Sequence, residues 1–315
     1  PVAVTIMVKD PAHAGPGELR YHDIGDYLSQ QEKLDIIEGF GSIDAMPWIE
    51  LAPNAEGDWA SQRDPAFERF VPLGEKDESK KSIFEIFTTG VTTARDAWTC
   101  SMSRIKLESN VRSMIDVYNI SRQRYEVACY GKPREACPSV EEIIESDPKR
   151  ISWSRSLKAD VLRGRVHVYE PASIVKSMYR PYSKQYLYFS RSLNEYVYKL
   201  PKLFPTEAHW NLVISTTGIG AAKGFSGLVS DVIPNYHMHD TAQCFPLYYY
   251  EKVEVDAEPQ GEIFAAAGAP DNDGYIRHDA ITDWALGAFR KHYGDATITK
   301  EDIFWYVYGI LHSPE

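Results

Sequence analysis

The sequence predicts an α+β fold of mixed helices and largely antiparallel sheet. Two observations carry that prediction. Short β-branched or aromatic runs, separated by turn residues, cluster in the second half without the regular strand–helix alternation of a parallel sheet. Longer segments with apolar residues near a 3.6-residue period lie on either side of them. At 315 residues the chain has room for about two domains.

Taken in order, Val2, Val4, Ile6 and Val8 alternate as a buried strand does. A strand there needs sheet neighbours, and the polypeptide reads as a piece of something longer. Ser29 caps an amphipathic helix over residues 30–40. Residues 41–80 are loop-rich, and 83–87 form a strand that ends at Thr88-Thr89-Gly90. The longest helix covers 103–129, with Ile105, Val111, Ile115, Tyr118 and Tyr125 near one period. Shorter helices follow at 139–145 and 154–163. Residues 166–169, 185–189, 212–215 and 245–250 read as strands. The stretch 251–279 reads as a long loop, with Pro259, Gly261, Gly268, Pro270 and Asp271-Asn272-Asp273-Gly274. Two helices close the chain at 280–293 and 300–311, the second with Thr299 and Asp302 as a capping box.

The longest apolar stretch, 303–311, is nine residues, against the ~20 that span a bilayer. No membrane role is expected. Cysteines at 100, 129, 137 and 244 include no CxxC pair, which argues against a disulfide framework and fits a reducing cytoplasm. The net charge of −11 is unevenly spread. Residues 1–80 hold 7 basic against 16 acidic side chains, 81–210 hold 21 against 14, and 211–315 hold 6 against 15. A basic block between acidic ones suits a region that meets phosphates, or three compensating solvated surfaces.

Several motifs have a bland and a functional reading. Gly218-Ile219-Gly220 with Lys223-Gly224 lacks phosphate-loop spacing; it reads as a glycine turn, which would carry Lys223 towards a phosphate backbone. His237, His239, Asp240 and Cys244 would place both imidazoles on one strand face, but no second cluster completes a metal set, and a polar surface loop is the default. No G-x-S-x-G elbow is present. The paired carboxylates Glu141-Glu142 and Glu301-Asp302 suit helix starts. In residues 178–191, Arg and Lys interleave with aromatics, which serves either a core strand or a nucleic-acid surface. Strand alternation puts Tyr182, Lys184, Tyr186 and Tyr188 on one face and Gln185, Leu187 and Phe189 on the other. The second face should bury, leaving Lys184 for solvent or phosphate.

Tyr179-Arg180-Pro181-Tyr182 with Tyr186-Leu187-Tyr188-Phe189 resembles the Y-R-P-F…Y-Y element of adenine-specific DNA methyltransferases. Residues 90–98 (GVTTARDAW), 214–226, 243–248 (QCFPLY) and 298–315 narrow the resemblance. Their order is similar to the C-terminal specificity portion of type ISP restriction–modification enzymes, which join nuclease, helicase-like ATPase, adenine-N6 methyltransferase and target recognition in one polypeptide.

The resemblance implies that residues 1–40 are the tail of a methyltransferase core and linker, a short remnant of an α/β domain. Residues 41–250 would be the target recognition domain, with 251–315 an acidic loop and C-terminal helices packing on it. The implied role is sequence-specific DNA recognition that directs adenine-N6 methylation and ATP-dependent cleavage by upstream domains. Implied partners are double-stranded DNA and the upstream methyltransferase and helicase domains. S-adenosylmethionine, ATP and Mg belong to the parent and none to this segment, which lacks F-x-G-x-G, [DN]-P-P-[YF] and Walker A motifs. No catalytic or metal residue is therefore expected in it.

The expected DNA contacts are Thr92, Thr93, Arg95, Arg180, Lys184, Tyr186, Arg191, Asn194 and Lys223. Arg95 is expected to have Asp96 as an internal partner and so to be structural in part. Arg191 and Asn194 are the expected readers of base edges. A different class of role, a docking region that couples the methyltransferase to the motor, suits the acidic C-terminal third.

Overall fold

The computed structural model describes residues 4–313 except 56, 61, 63, 65, 67–68, 78 and 254–269. The chain forms two compact units, Pro1–Phe70 and Val71–Glu315. In the first, β1 (Leu19–Tyr21) pairs antiparallel with β2 (Ile49–Leu51), and α1 (Gln30–Phe40) lies between them in sequence. The Ser29 hydroxyl accepts from Glu32 N, and the Glu32 carboxylate accepts from Ser29 N at 2.7 Å, a full capping box. The expected strand at the start is not formed over the described residues 4–8. Val4, Ile6, Met7 and Val8 are exposed; a period-two pattern makes a strand only where a neighbour takes its N–H and C=O groups.

The second unit contains β3 (Thr88–Thr89), α2 (Asp96–Thr99), β4 (Cys100–Ser101), α3 (Arg104–Cys129), α4 (Val140–Ile143), α5 (Arg155–Leu162), β5 (Ile174–Arg180) and β6 (Ser183–Tyr188). Then come α6 (Leu200–Leu203), β7 (Val213–Thr217), β8 (Gly227–Ser230), β9 (Ile233–Pro234), β10 (Ala242–Pro246), β11 (Tyr248–Lys252), β12 (Tyr275–Asp279), α7 (Asp283–Tyr293) and α8 (Lys300–Ile310). One sheet has the order β3-β10-β7-β8, a second β4-β6-β5-β9, and β11 pairs with β12. Every one of these pairings is antiparallel except β5 with β9.

Strand β6 stands between two cores. Leu187 packs with Phe84, Phe245, Ile281 and Phe304. The next residue, Tyr188, packs on the other side with Leu107, Met114, Tyr118 and Leu157. Both faces are thus dry at this end of the strand, and full burial of each such side chain contributes about 1.5–3 kcal/mol. That corrects the expected polar face: Tyr188 is core, and exposure along β6 is confined to its start. Helix α3 supplies the second core through Leu107, Val111, Met114, Ile115 and Tyr118, spaced to share one face. Ser103 caps it by accepting from Lys106 N at 3.3 Å. Ile105 is exposed.

Other expectations are corrected. In 83–87 Ile83, Phe84 and Ile86 are buried and Glu85 is exposed, Phe84 makes only isolated bridges to Gly74 and Ile281, and the strand is Thr88–Thr89, where the turn was expected. Residues 166–169 form no strand; the His167 backbone is satisfied by the Asn119 amide, at 3.2 and 2.8 Å, with Val166 and Val168 exposed. The run 245–250 is two strands, since Leu247 N donates to Leu212 O at 2.8 Å between them. The expected loop at 251–279 ends in β12, while Pro259, Gly261 and Gly268 lie outside the described residues. Both closing helices hold, and Thr299 and Asp302 form the capping box. Among the described residues no helix is long and apolar enough to cross a membrane.

Candidate nucleic-acid interface

Residues 90–98 tie three distant loops together. Val91 N donates to Pro234 O and receives Tyr236 N on its own carbonyl, both at 2.9 Å. Thr92 exchanges both backbone hydrogen bonds with Tyr196 at 3.0 Å. Gly90 is required there, because a Cβ would sit 2.5 Å from Asn235 C and Tyr236 N. After Ala94, held at φ +57°, the chain turns Arg95 inward.

The Arg95 side chain is fully buried. It donates from Nε to Ser152 O at 3.3 Å, and from its terminal nitrogens to Leu193 O and the Ser154 hydroxyl. Glu195 is its acidic partner at 3.9 Å. Burial pulls the guanidinium pKa down to about 10, with the Glu195 charge opposing. Asp96, the expected partner, instead accepts from the Thr93 hydroxyl and from Tyr179 Oη at 2.9 Å. Thr93 is buried as well. Thr93 and Arg95 therefore hold loops rather than face outward, and Thr92 is half-buried.

Asn194, expected at base edges, is buried. Its Oδ1 accepts from Ser190 N at 3.1 Å and closes a turn, while its Nδ2 has no partner among the described residues. Arg191, at the tip of that turn, is exposed. Tyr196 and Tyr198 follow with stacked rings, 5.3 Å apart and 17° from parallel. Alternation in Tyr196-Val197-Tyr198 was the available signal: Val197 is buried between two outward rings.

Arg180 joins this region through its neighbour Tyr179, over whose ring the guanidinium stacks at 4.1 Å. Lys184 is held by Asp231 at 2.6 Å, so it is not a free cation. Tyr186 is half-buried beneath Lys176, whose Nζ lies 3.5 Å from the ring centroid. Lys223 is exposed on the β7–β8 hairpin, which is tied down where Ala222 N donates to Asp240 Oδ2 at 2.6 Å. The structure thus brings Thr92, Thr93, Arg95, Asn194 and Arg180 together. Lys184, Tyr186 and Lys223 make no direct bond to that group.

Residues 236–239 form a 3-10 turn rather than a strand, so the two imidazoles do not share a face. His237 is exposed, and the His239 ring lies 2.8 Å from Ser226 Oγ and 3.3 Å from Ser215 Oγ. Among the described residues no group of three His, Cys, Asp or Glu could hold a metal. Burial lowers the pKa of His239; it also lowers that of His167, where it outweighs the pull of Asp160. As the pH falls through about 6.5, the unfolded chain takes these protons before the folded one does. Stability should therefore hold above that pH and fall below it. Melting at pH 7.5 and 5.5 checks this, and a rise in Tm on acidification would mean the rings are charged in the fold.

The sequence matches the family described as the Type ISP C-terminal specificity domain over residues 82–315. Among solved structures the chain is similar to a nuclease-deletion mutant of the type ISP restriction–modification enzyme LlaGI in complex with a DNA substrate mimic. That match has 32% identity and a TM-score of 0.69, over 96% of this chain and 25% of that one. It is also similar to the DrdV–DNA complex, at 30% identity and a TM-score of 0.72 over 94% of this chain and 27% of that one. A third is the ATP-dependent type ISP enzyme LlaBIII bound to DNA, at 27% identity and a TM-score of 0.73 over 96% and 18%. This chain therefore spans about a quarter or less of each of these proteins. No curated protein sequence matches it.

Proposed function

The chain belongs to the Type ISP C-terminal specificity domain family, and from that premise we propose that it selects the duplex DNA sequence on which a restriction–modification enzyme acts. The observation that carries this is the anchoring around Arg95. One buried side chain and a few main-chain bonds fix the loops at 90–98, 152–156 and 190–198, and Val91 adds 234–236. Base readout needs outward side chains held on such a rigid base.

Methylation, translocation and cleavage, with S-adenosylmethionine, ATP and Mg, would belong to other parts of such a polypeptide. The residues present do not fit a nucleotide site at Gly218–Gly224. That turn joins β7 to β8 and lacks the helix N-terminus that receives phosphate.

Of the expected contacts, Arg191 and Lys223 are exposed cations with no ion-pair partner among the described residues, Arg180 lies over the Tyr179 ring, and Lys184 is paired with Asp231. Lys223→Ala should weaken selected and random duplexes alike and lower the salt slope of log K by roughly one unit. Lys184→Ala should do less, since Asp231 already holds that ammonium. Anisotropy titrations of the chain at two salt concentrations check both. Binding that does not respond to salt would favour a protein-docking role.

A further inference from the structure

We propose that the stacked pair Tyr196 and Tyr198 is a base-contacting platform, on which an unstacked DNA base packs face to ring. This rests on the DNA-recognition reading and deepens it by naming where bases, as opposed to phosphates, are met.

Each of the two tyrosines is 50% exposed, although the segment carrying them is firmly held. Tyr196 is bonded at both its backbone groups to Thr92. Lys199 N donates to Thr88 Oγ1 at 3.2 Å, and the intervening Val197 is buried. Neither hydroxyl has a hydrogen-bond partner among the described residues, whereas the half-exposed Tyr249 gives its hydroxyl to Glu85. Tyr198 also sits at φ +44°, a backbone region costly for a bulky residue and favoured at functional sites. Stability alone gives no reason to hold two large rings in water on a strained, anchored segment.

The surroundings select the ligand. Arg191 and Lys199 bracket the pair in sequence, and the nearest acid along the chain, Glu195, is drawn inward by Ser156 and Arg95. Exposed cations flanking the pair in sequence suit a polyanion, while uncharged π-faces have nothing to offer a phosphate and do match a base. Tyr236, stacked edge-on against His237 at 5.1 Å, extends the aromatic surface beside Tyr198.

The test uses this chain with duplexes it selects from a randomised pool, carrying 5-iododeoxyuridine in place of thymidine. Irradiation should attach DNA to the tryptic peptide over residues 192–199, which holds both tyrosines. Tyr198→Ala should weaken the selected duplex roughly 5- to 150-fold, the range for losing one base–aromatic stack. Tyr198→Phe should bind normally. Tyr198→Gly suits the left-handed backbone, so it should melt no lower than the parent yet bind as poorly as the alanine variant. Adducts elsewhere with unchanged affinity of the alanine variants overturn the platform; if Lys223→Ala still weakens binding, the recognition role stands. Failure of the unaltered chain to bind any duplex overturns both.

Discussion

Replacing Arg95 with alanine should cost about 3–5 kcal/mol of folding stability, the range for breaking a buried charged network. Domains of this kind have only about 5–15 kcal/mol in total. The cost comes less from the lost bonds than from what they leave. Ser152 O and Leu193 O would keep their burial without a donor, and Glu195 would lose its counter-charge. The drop in Tm should be about 6–20 °C for a domain of this size. Arg95→Lys should recover less than half, because a single ammonium cannot span acceptors that the planar fork reaches together. DNA affinity should fall in step with stability. An Arg95→Ala chain that melted normally and no longer bound DNA would make Arg95 a direct contact after all.

The second large effect is expected at Gly90. Its Cβ position lies 2.5 Å from two backbone atoms of Asn235 and Tyr236. These atoms cannot swing aside as a side chain would. That segment is itself fixed by Val91 and by Asn235 N on Met178 O at 3.0 Å. Gly90→Ala should therefore sit at the upper end of overpacking costs, about 3 kcal/mol, and should displace Tyr236 and Tyr196 from the surface proposed to meet DNA. Gly287 in α7 is the control, since nothing lies within 4 Å of its Cβ position. Alanine there should stabilise by about 0.5–1 kcal/mol through helix propensity. Melting curves of the two variants check the contrast, and equal Tm values would remove the close approach at Gly90.

Much of the helical architecture was legible because caps and periodicity are local. Ser29 and Thr299 cap the helices they were expected to cap, and Ser103 and Ser154 cap the helices read as starting there. The strands were harder to read. In a run such as 83–87, Ile83, Phe84 and Ile86 are apolar because they are buried, and burial alone does not decide whether a ladder partner is present. The interface was legible in its segments but not in its orientation. The 90–98 motif was marked by resemblance and Arg191 and Asn194 by residue type, yet Arg95 and Asn194 point inward and Tyr196 and Tyr198 outward. Arg and Asn are residue types that read bases and also types that satisfy buried main-chain groups. Only the fold, which brings Ser152 and Leu193 to Arg95 from 57 and 98 residues away, decides between the two uses.

The anchoring of the loops has an evolutionary consequence. Val91 and Thr92 grip their partners wholly through main-chain atoms, and Arg95 takes two of its acceptors from peptide carbonyls. Every amino acid except proline carries those atoms. The outward side chains at 191, 196, 198 and 223 can therefore be exchanged without loosening the grip that aims them. A lineage could rewrite which DNA it accepts by a few surface substitutions while its loops stayed in place. New specificities would then be cheap for the fold, and each would start from an already rigid reading edge.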